Sequence, residues 1–144
     1  MIAVVDDADS VRNAVVRLLQ SFGYAARGFA SGHEFLQAWP SNPARCVILD
    51  MTMPGLSGAD VQRELNSANV RVPVVIMTAY DSLDVREECM RLGALAFLSK
   101  PIETSLLLDA VAAAFTRQRV DIPIERAIVG GESVSPFREV EPEI

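Results

Sequence analysis

The sequence predicts an α/β protein in which five strands form a mostly parallel sheet with helices on both faces. Two observations carry this. Short apolar runs alternate with amphipathic segments from residue 1 to about 117, and four of the five runs stop on a polar residue, at Asp6-Asp7, Asp50, Thr78 and Lys100. Such alternation implies βαβ units with right-handed crossovers, and parallel strands place their C-terminal ends on one edge. A chain of 144 residues with 50% hydrophobic and 22% charged content supports one domain with a core.

The first strand is Ile2 to Val5. A helix follows, with Val11, Ala14, Val15, Leu18, Leu19 and Phe22 at helical spacing and Gly23 as its stop. Tyr24 to Phe29 reads as a weaker strand near the sheet edge. Ser31 with Glu34 three residues on forms a capping-box pattern that opens a short helix, expected to lie on the surface and halted by Pro40. Cys46 to Asp50 is a run buried on both faces that breaks at Pro54-Gly55.

Ser57 caps the next helix, through Val61 and Leu65. Val72 to Met77 is the fourth strand, ending on Thr78, and Asp81 or Ser82 caps a helix closed by Gly93. Leu95 to Ser99 ends on Lys100-Pro101. The last helix runs from about Glu103 to Phe115 with Leu107, Ala110, Val111 and Ala114 on one face. Residues 118–144 carry Pro123, Pro136, Pro142 and Gly130-Gly131, so a flexible tail or linker without a recognisable output domain is expected there.

Several function classes are disfavoured. A net charge of −6 argues against direct nucleic-acid binding, which needs clustered basic side chains. The opening residues lack a secretory signal and no run reaches the ~20 apolar residues of a membrane span, so a cytoplasmic protein without membrane contact is expected. Cys46 and Cys89 have no metal-ligand spacing and read as reduced packing residues. Lys100 is the only lysine, all other basic residues being arginine, which singles it out for a specific role.

The strand ends would gather three carboxylates, a hydroxyl and an ammonium. Crowded carboxylates repel one another, so the cluster implies a cation, and an all-oxygen donor set with no histidine or cysteine favours Mg²⁺, with Mn²⁺ as the alternative. Asp7, Asp50 and the Thr52 backbone carbonyl would hold the ion, with Asp6 acting through a water. An ionised Asp50 so placed can attack a phosphoryl group, while Thr78 and Lys100 bind the phosphoryl oxygens. Singly, Asp7 and Asp9 are ordinary helix caps and Asp50 an ordinary turn residue; the combination favours chemistry.

Val4-Val5-Asp6-Asp7, Leu49-Asp50-Met51-Thr52-Met53-Pro54-Gly55 with Gly58, Met77-Thr78-Ala79 and Phe97-Leu98-Ser99-Lys100-Pro101 resemble the receiver (CheY-like) domain of two-component response regulators. The wording is similar to that of the nitrogen-fixation type (FixJ-like). The resemblance covers residues 1 to about 117 and implies a flavodoxin-like sheet of order 2-1-3-4-5. It also implies that Asp50 takes a phosphoryl group from the phosphohistidine of a sensor histidine kinase or phosphotransfer protein.

It further implies a switch. Thr78 moves toward the phosphoryl group, the aromatic at Phe97 turns inward, and the face of the fourth helix, fifth strand and fifth helix repacks for a downstream protein or a phosphorylation-dependent homodimer. Phenylalanine at position 97 has no hydroxyl, so packing alone holds the inward state. Lys100-Pro101 matches the family's cis peptide. Family members of this type usually continue into a helix-turn-helix output domain, so the chain reads as a single-domain regulator or as the receiver fragment of a transcriptional regulator. A phosphohydrolase of the haloacid dehalogenase type would want an acid where Thr52 stands. A phosphorylation-independent binding module would be expected to have lost one of Asp6, Asp7, Asp50, Thr78 or Lys100. Tyr80, two residues beyond Thr78, is placed to cover the phosphoryl site and slow its hydrolysis.

Overall fold

The computed structural model describes the backbone of residues 1–121 and the side chains of residues 1–116. Ten elements alternate strictly: β1 Ile2–Val5, α1 Asp9–Ser21, β2 Ala26–Phe29, α2 Gly32–Ala38, β3 Cys46–Asp50, α3 Gly58–Ser67, β4 Val74–Thr78, α4 Leu83–Arg91, β5 Ala96–Ser99 and α5 Thr104–Asp121. All strand pairs are parallel, in the order β2-β1-β3-β4-β5. The chain leaves β1 first toward β2 and later returns on the other side as β3, which opens a crevice at the C-terminal ends of β1 and β3.

Successive strand residues face opposite ways, and the sequence supplies apolar side chains for both faces. Ala3, Val5, Val47, Leu49, Val74 and Ile76 pack with Phe35 of α2, Val61 and Leu65 of α3 and Cys89 of α4. Ile2, Val4, Cys46, Ile48, Val75 and Met77 pack with Val15 and Leu19 of α1 and Leu107, Ala110, Val111 and Ala114 of α5. Helices α2, α3 and α4 therefore cover one face, and α1 and α5 the other. Burial pushes the Cys46 thiol up to about 12, and both cysteines are free.

Local chemistry sets most boundaries. Ser31 Oγ accepts from the Glu34 N–H, while the Glu34 side chain reaches back to the Ala30 N–H. Ser57 and Asp60 form a complete capping box on α3. Gly23 and Gly93 follow α1 and α4 with φ of 91° and 101°, the left-handed conformation that ends helices.

The structure departs from the sequence reading in several places. On α1, Ala14 is exposed, and Phe22, the C-cap just past the helix, is 55% exposed. The apolar stripe is thus wider than the sheet it covers. The strand β2 begins at Ala26 rather than Tyr24, because the Tyr24 N–H still closes the end of α1 on Leu19 O at 3.0 Å, while its ring packs edge-on to Phe115. Helix α2 is not merely superficial: Phe35 is buried between Phe29 and Trp39 in edge-to-face contacts.

Ser82, not Asp81, caps α4, its Oγ accepting from the Val85 N–H. Helix α5 runs on to Asp121, past the expected boundary at 117, since no glycine or proline interrupts the sequence before Pro123. The rest of the expected tail, residues 122–144, lies outside the described residues.

Candidate functional site

Strand register brings the polar strand ends together. Val5 pairs with Leu49, Asp50 with Met77 and Thr78 with Ser99, so Asp6, Asp50, Thr78 and Lys100 stand at or just beyond the edge of the sheet. Oxygens of Asp6, Asp7 and Asp50 lie within 4.8 Å of one another. Asp6 is fully buried and Asp50 only 3% exposed, whereas Asp7 faces solvent.

Lys100 joins two of the acids. Its Nζ donates to Asp6 Oδ2 at 2.9 Å and lies 3.0 Å from Asp50 Oδ1. The Lys100–Pro101 peptide is cis. Burial raises the Asp50 carboxyl above its ordinary range. The Lys100 ammonium opposes this by hydrogen bonding and by charge, while Asp6 and Asp7 add to the rise. Burial works to lower the Lys100 pKa, but its hydrogen bonds to Asp6 and Asp50 and their charges outweigh that and raise it. Three carboxylates and one ammonium leave two net negative charges, which a divalent cation would neutralise. Oxygen-only donors suit Mg²⁺ or Mn²⁺, so the residues present fit such an ion.

Asp6 is held at every polar atom. Its N–H donates to Phe29 O, its carbonyl accepts from Arg12 Nη1, Oδ1 accepts from the Ala8 N–H, and Oδ2 takes Lys100. Neither Asp7 nor Asp9 caps α1: the N-cap is Ala8, which has no side-chain cap, and Asp9 pairs with Arg12 at 2.6 Å. The floor under Asp50 is equally tight. A Cβ on Gly58 would lie 2.7 Å from Asp50 O and 2.9 Å from Met51 Cα, so glycine is required for α3 to start this close to β3.

Thr78 is buried, and its hydroxyl donates to Tyr80 O at 3.1 Å and accepts from the Tyr80 N–H at 3.0 Å. It is Tyr80's backbone that Thr78 engages, while the residue as a whole is 73% exposed. Phe97 is partly buried, with the Arg86 guanidinium over its ring at 4.7 Å from the centroid. Arg86 also donates to both oxygens of Asp81, and Ser99 Oγ donates to Asp81 Oδ2 at 2.9 Å. This chain from β5 to Phe97 through α4, and the Arg12 bond to Asp6, were not legible in the sequence. Only the Arg after the acidic pair and the glycine inside β2 hinted at the second.

Comparison with known proteins identifies the fold and the family. The profile of the Response regulator receiver domain matches residues 2–112. Nodulation protein W of Bradyrhizobium diazoefficiens is 35% identical over 134 residues, covering 93% of this chain and 59% of that protein. The transcriptional regulatory protein FixJ of Azorhizobium caulinodans is 36% identical over 114 residues, covering 79% of this chain and 54% of that one. The chain thus spans between half and three fifths of these relatives. The chemotaxis protein CheY4 of Vibrio cholerae superposes with a TM-score of 0.73 at 26% identity, over 78% of this chain and 96% of that structure. Among the described residues no helix is long and apolar enough to cross a membrane.

Proposed function

The chain belongs to the response regulator receiver domain family of two-component systems, and from that membership we propose that Asp50 is its phosphoacceptor, fed by the phosphohistidine of a sensor histidine kinase or phosphotransfer protein. The observation that carries this reading is Lys100 Nζ bridging Asp6 Oδ2 and Asp50 Oδ1 beside a third carboxylate. Lys100 fixes Oδ1, which leaves Oδ2 to attack phosphorus as the P–N bond to the donor imidazole breaks and the imidazole takes up a proton.

Asp7, Asp50 and the Thr52 carbonyl would hold Mg²⁺ in this reading, with Asp6 acting through a water; such an ion would supply charge neutralisation for the carboxylates and the incoming phosphoryl oxygens. Lys100 passes from Asp50 to a phosphoryl oxygen. Thr78 gives up its two bonds to Tyr80 and turns its hydroxyl to another, which loosens the loop before α4. Phe97 then moves inward, and packing alone retains it. The α4-β5-α5 face changes for a downstream protein partner or a second phosphorylated copy, with no direct nucleic-acid contact from this domain and a cytoplasmic setting.

Incubation with phosphoramidate, whose P–N bond mimics phosphohistidine, tests the reading when followed by hydrogen exchange. Mg²⁺-dependent uptake should alter exchange across β4, the β4–α4 loop and β5. Uptake with unchanged exchange would reduce the domain to a phosphoryl sink. Failure of uptake in the folded protein would favour a phosphorylation-independent binding module.

A further inference from the structure

We infer that Arg12, seated on Gly28, is a positioning residue for the acidic pair, holding the peptide between Asp6 and Asp7 so that the Asp7 carboxylate stands beside Asp50 for a divalent cation. The inference rests on the phosphoacceptor reading and adds to it a residue outside the strand ends.

The Asp6 N–H still belongs to the sheet, bonded to Phe29 O at 3.1 Å, but the Asp6 carbonyl accepts instead from Arg12 Nη1 at 2.8 Å. A peptide is planar, so fixing that carbonyl also fixes the nitrogen and Cα of Asp7. Asp7 needs such control because its side chain is exposed. Arg12 can exert it because its own side chain is only 14% exposed and its second terminal nitrogen is held by Asp9 Oδ1. Two fixed bonds from one planar fork are what an arginine provides and a lysine cannot.

Gly28 supplies the seat. It lies inside the edge strand β2, paired in register with Val4, where glycine is ordinarily a poor strand residue. An added Cβ would meet Arg12 Cγ and Cδ at 2.9 Å and Nε at 3.3 Å. Cγ and Cδ are mid-stem and Nε is the root of the guanidinium, so a side chain at position 28 displaces the stem and with it the guanidinium on the Asp6 carbonyl. A cation near a cation site also repels the ion, which works against binding. Here the Asp9 carboxylate offsets that charge and the fork engages a carbonyl rather than a ligand oxygen. Positioning therefore outweighs repulsion.

Isothermal titration of the full chain with MgCl₂, paired with urea unfolding in Mg²⁺-free buffer, tests the inference on Arg12→Met, Arg12→Lys, Gly28→Ala and Asp7→Asn. Arg12→Met and Gly28→Ala should each weaken Mg²⁺ binding about tenfold, the scale on which groups that orient metal ligands act. Arg12→Lys should recover part of the loss, and Gly28→Ala should remain folded, its urea midpoint lowered only modestly because alanine's backbone gain offsets part of the lost bond. Should Arg12→Met fail to fold, Gly28→Ala decides alone, since it keeps the guanidinium and every ligand. Mg²⁺ affinity that is unchanged or tighter in Gly28→Ala, with binding still abolished by Asp7→Asn, overturns the role of Arg12 and leaves the acceptor reading standing. A wild-type protein that takes up no Mg²⁺ overturns both.

Discussion

Replacing Gly58 by alanine places a methyl carbon 2.7 Å from the Asp50 carbonyl oxygen and 2.9 Å from Met51 Cα. Both neighbours are backbone. They are pinned by the Met51 N–H to Met77 O at 2.8 Å and by Gly58's own N–H to Met51 O at 3.0 Å, so relief requires the start of α3 to move off the end of β3. Overpacking of this kind costs about 1–3 kcal/mol. Alanine's helix preference over glycine returns at most about 1 kcal/mol, and less at the first helical residue.

The net destabilisation should be about 1–2 kcal/mol, or roughly 4–8 °C in Tm for a domain of this size. Because the displaced atoms carry Asp50, phosphorylation by a small donor should slow about tenfold, since catalytic geometry is sensitive to shifts well under an ångström. Urea unfolding and a phosphorylation time course measure the two effects. Gly23→Ala is the control: Gly23 has φ of 91° and open space around its Cβ position, so it should cost about 1 kcal/mol by backbone strain while leaving phosphorylation unchanged. A Gly58→Ala protein as stable as wild type and phosphorylated as fast would refute the close-approach argument.

Asp50→Asn should be more stable than wild type near neutral pH. Burial, with Asp6 and Asp7, raises the folded-state pKa of Asp50 above its ordinary 3.8. The ionised group therefore subtracts stability, and the advantage of asparagine should fade as pH falls through that raised value; urea midpoints across the acid range check this, and a less stable variant contradicts it. Lys100→Met leaves two buried carboxylates without their ammonium and should cost about 3 kcal/mol. The loss should shrink on acidification or on adding Mg²⁺, and a deficit independent of both would point to packing instead. Arg86→Ala uncovers Phe97 and releases Asp81, so amide exchange over residues 96–99 should speed up in the unphosphorylated protein while global stability changes by less than about 1 kcal/mol. Unaltered exchange there would mean that Arg86 does not restrain the switch.

Much of this site is written locally, and that is why it was legible. A strand buried on both faces announces itself as an apolar run, and a carboxylate, hydroxyl or ammonium at its end can only sit at the sheet edge. The buried face of α5, with Leu107, Ala110, Val111 and Ala114, follows from spacing alone. What sequence could not resolve are choices settled by distant partners. Asp81 and Ser82 are equally good caps; Ser82 takes that role because Asp81 is claimed by Arg86 and Ser99. Phe22 has the right spacing for the α1 core face, yet it is the C-cap that follows the last helical residue and is largely exposed. Arg12 looks like any surface arginine until Gly28 is seen beneath its stem.

Intact mass of wild type and Asp50→Ala after incubation with acetyl phosphate, with and without Mg²⁺, identifies the acceptor and its need for the metal in one experiment. One added phosphoryl group is expected, present only when both Asp50 and Mg²⁺ are. An adduct that persists in folded Asp50→Ala, or its absence from folded wild type with Mg²⁺, would contradict Asp50 as the acceptor.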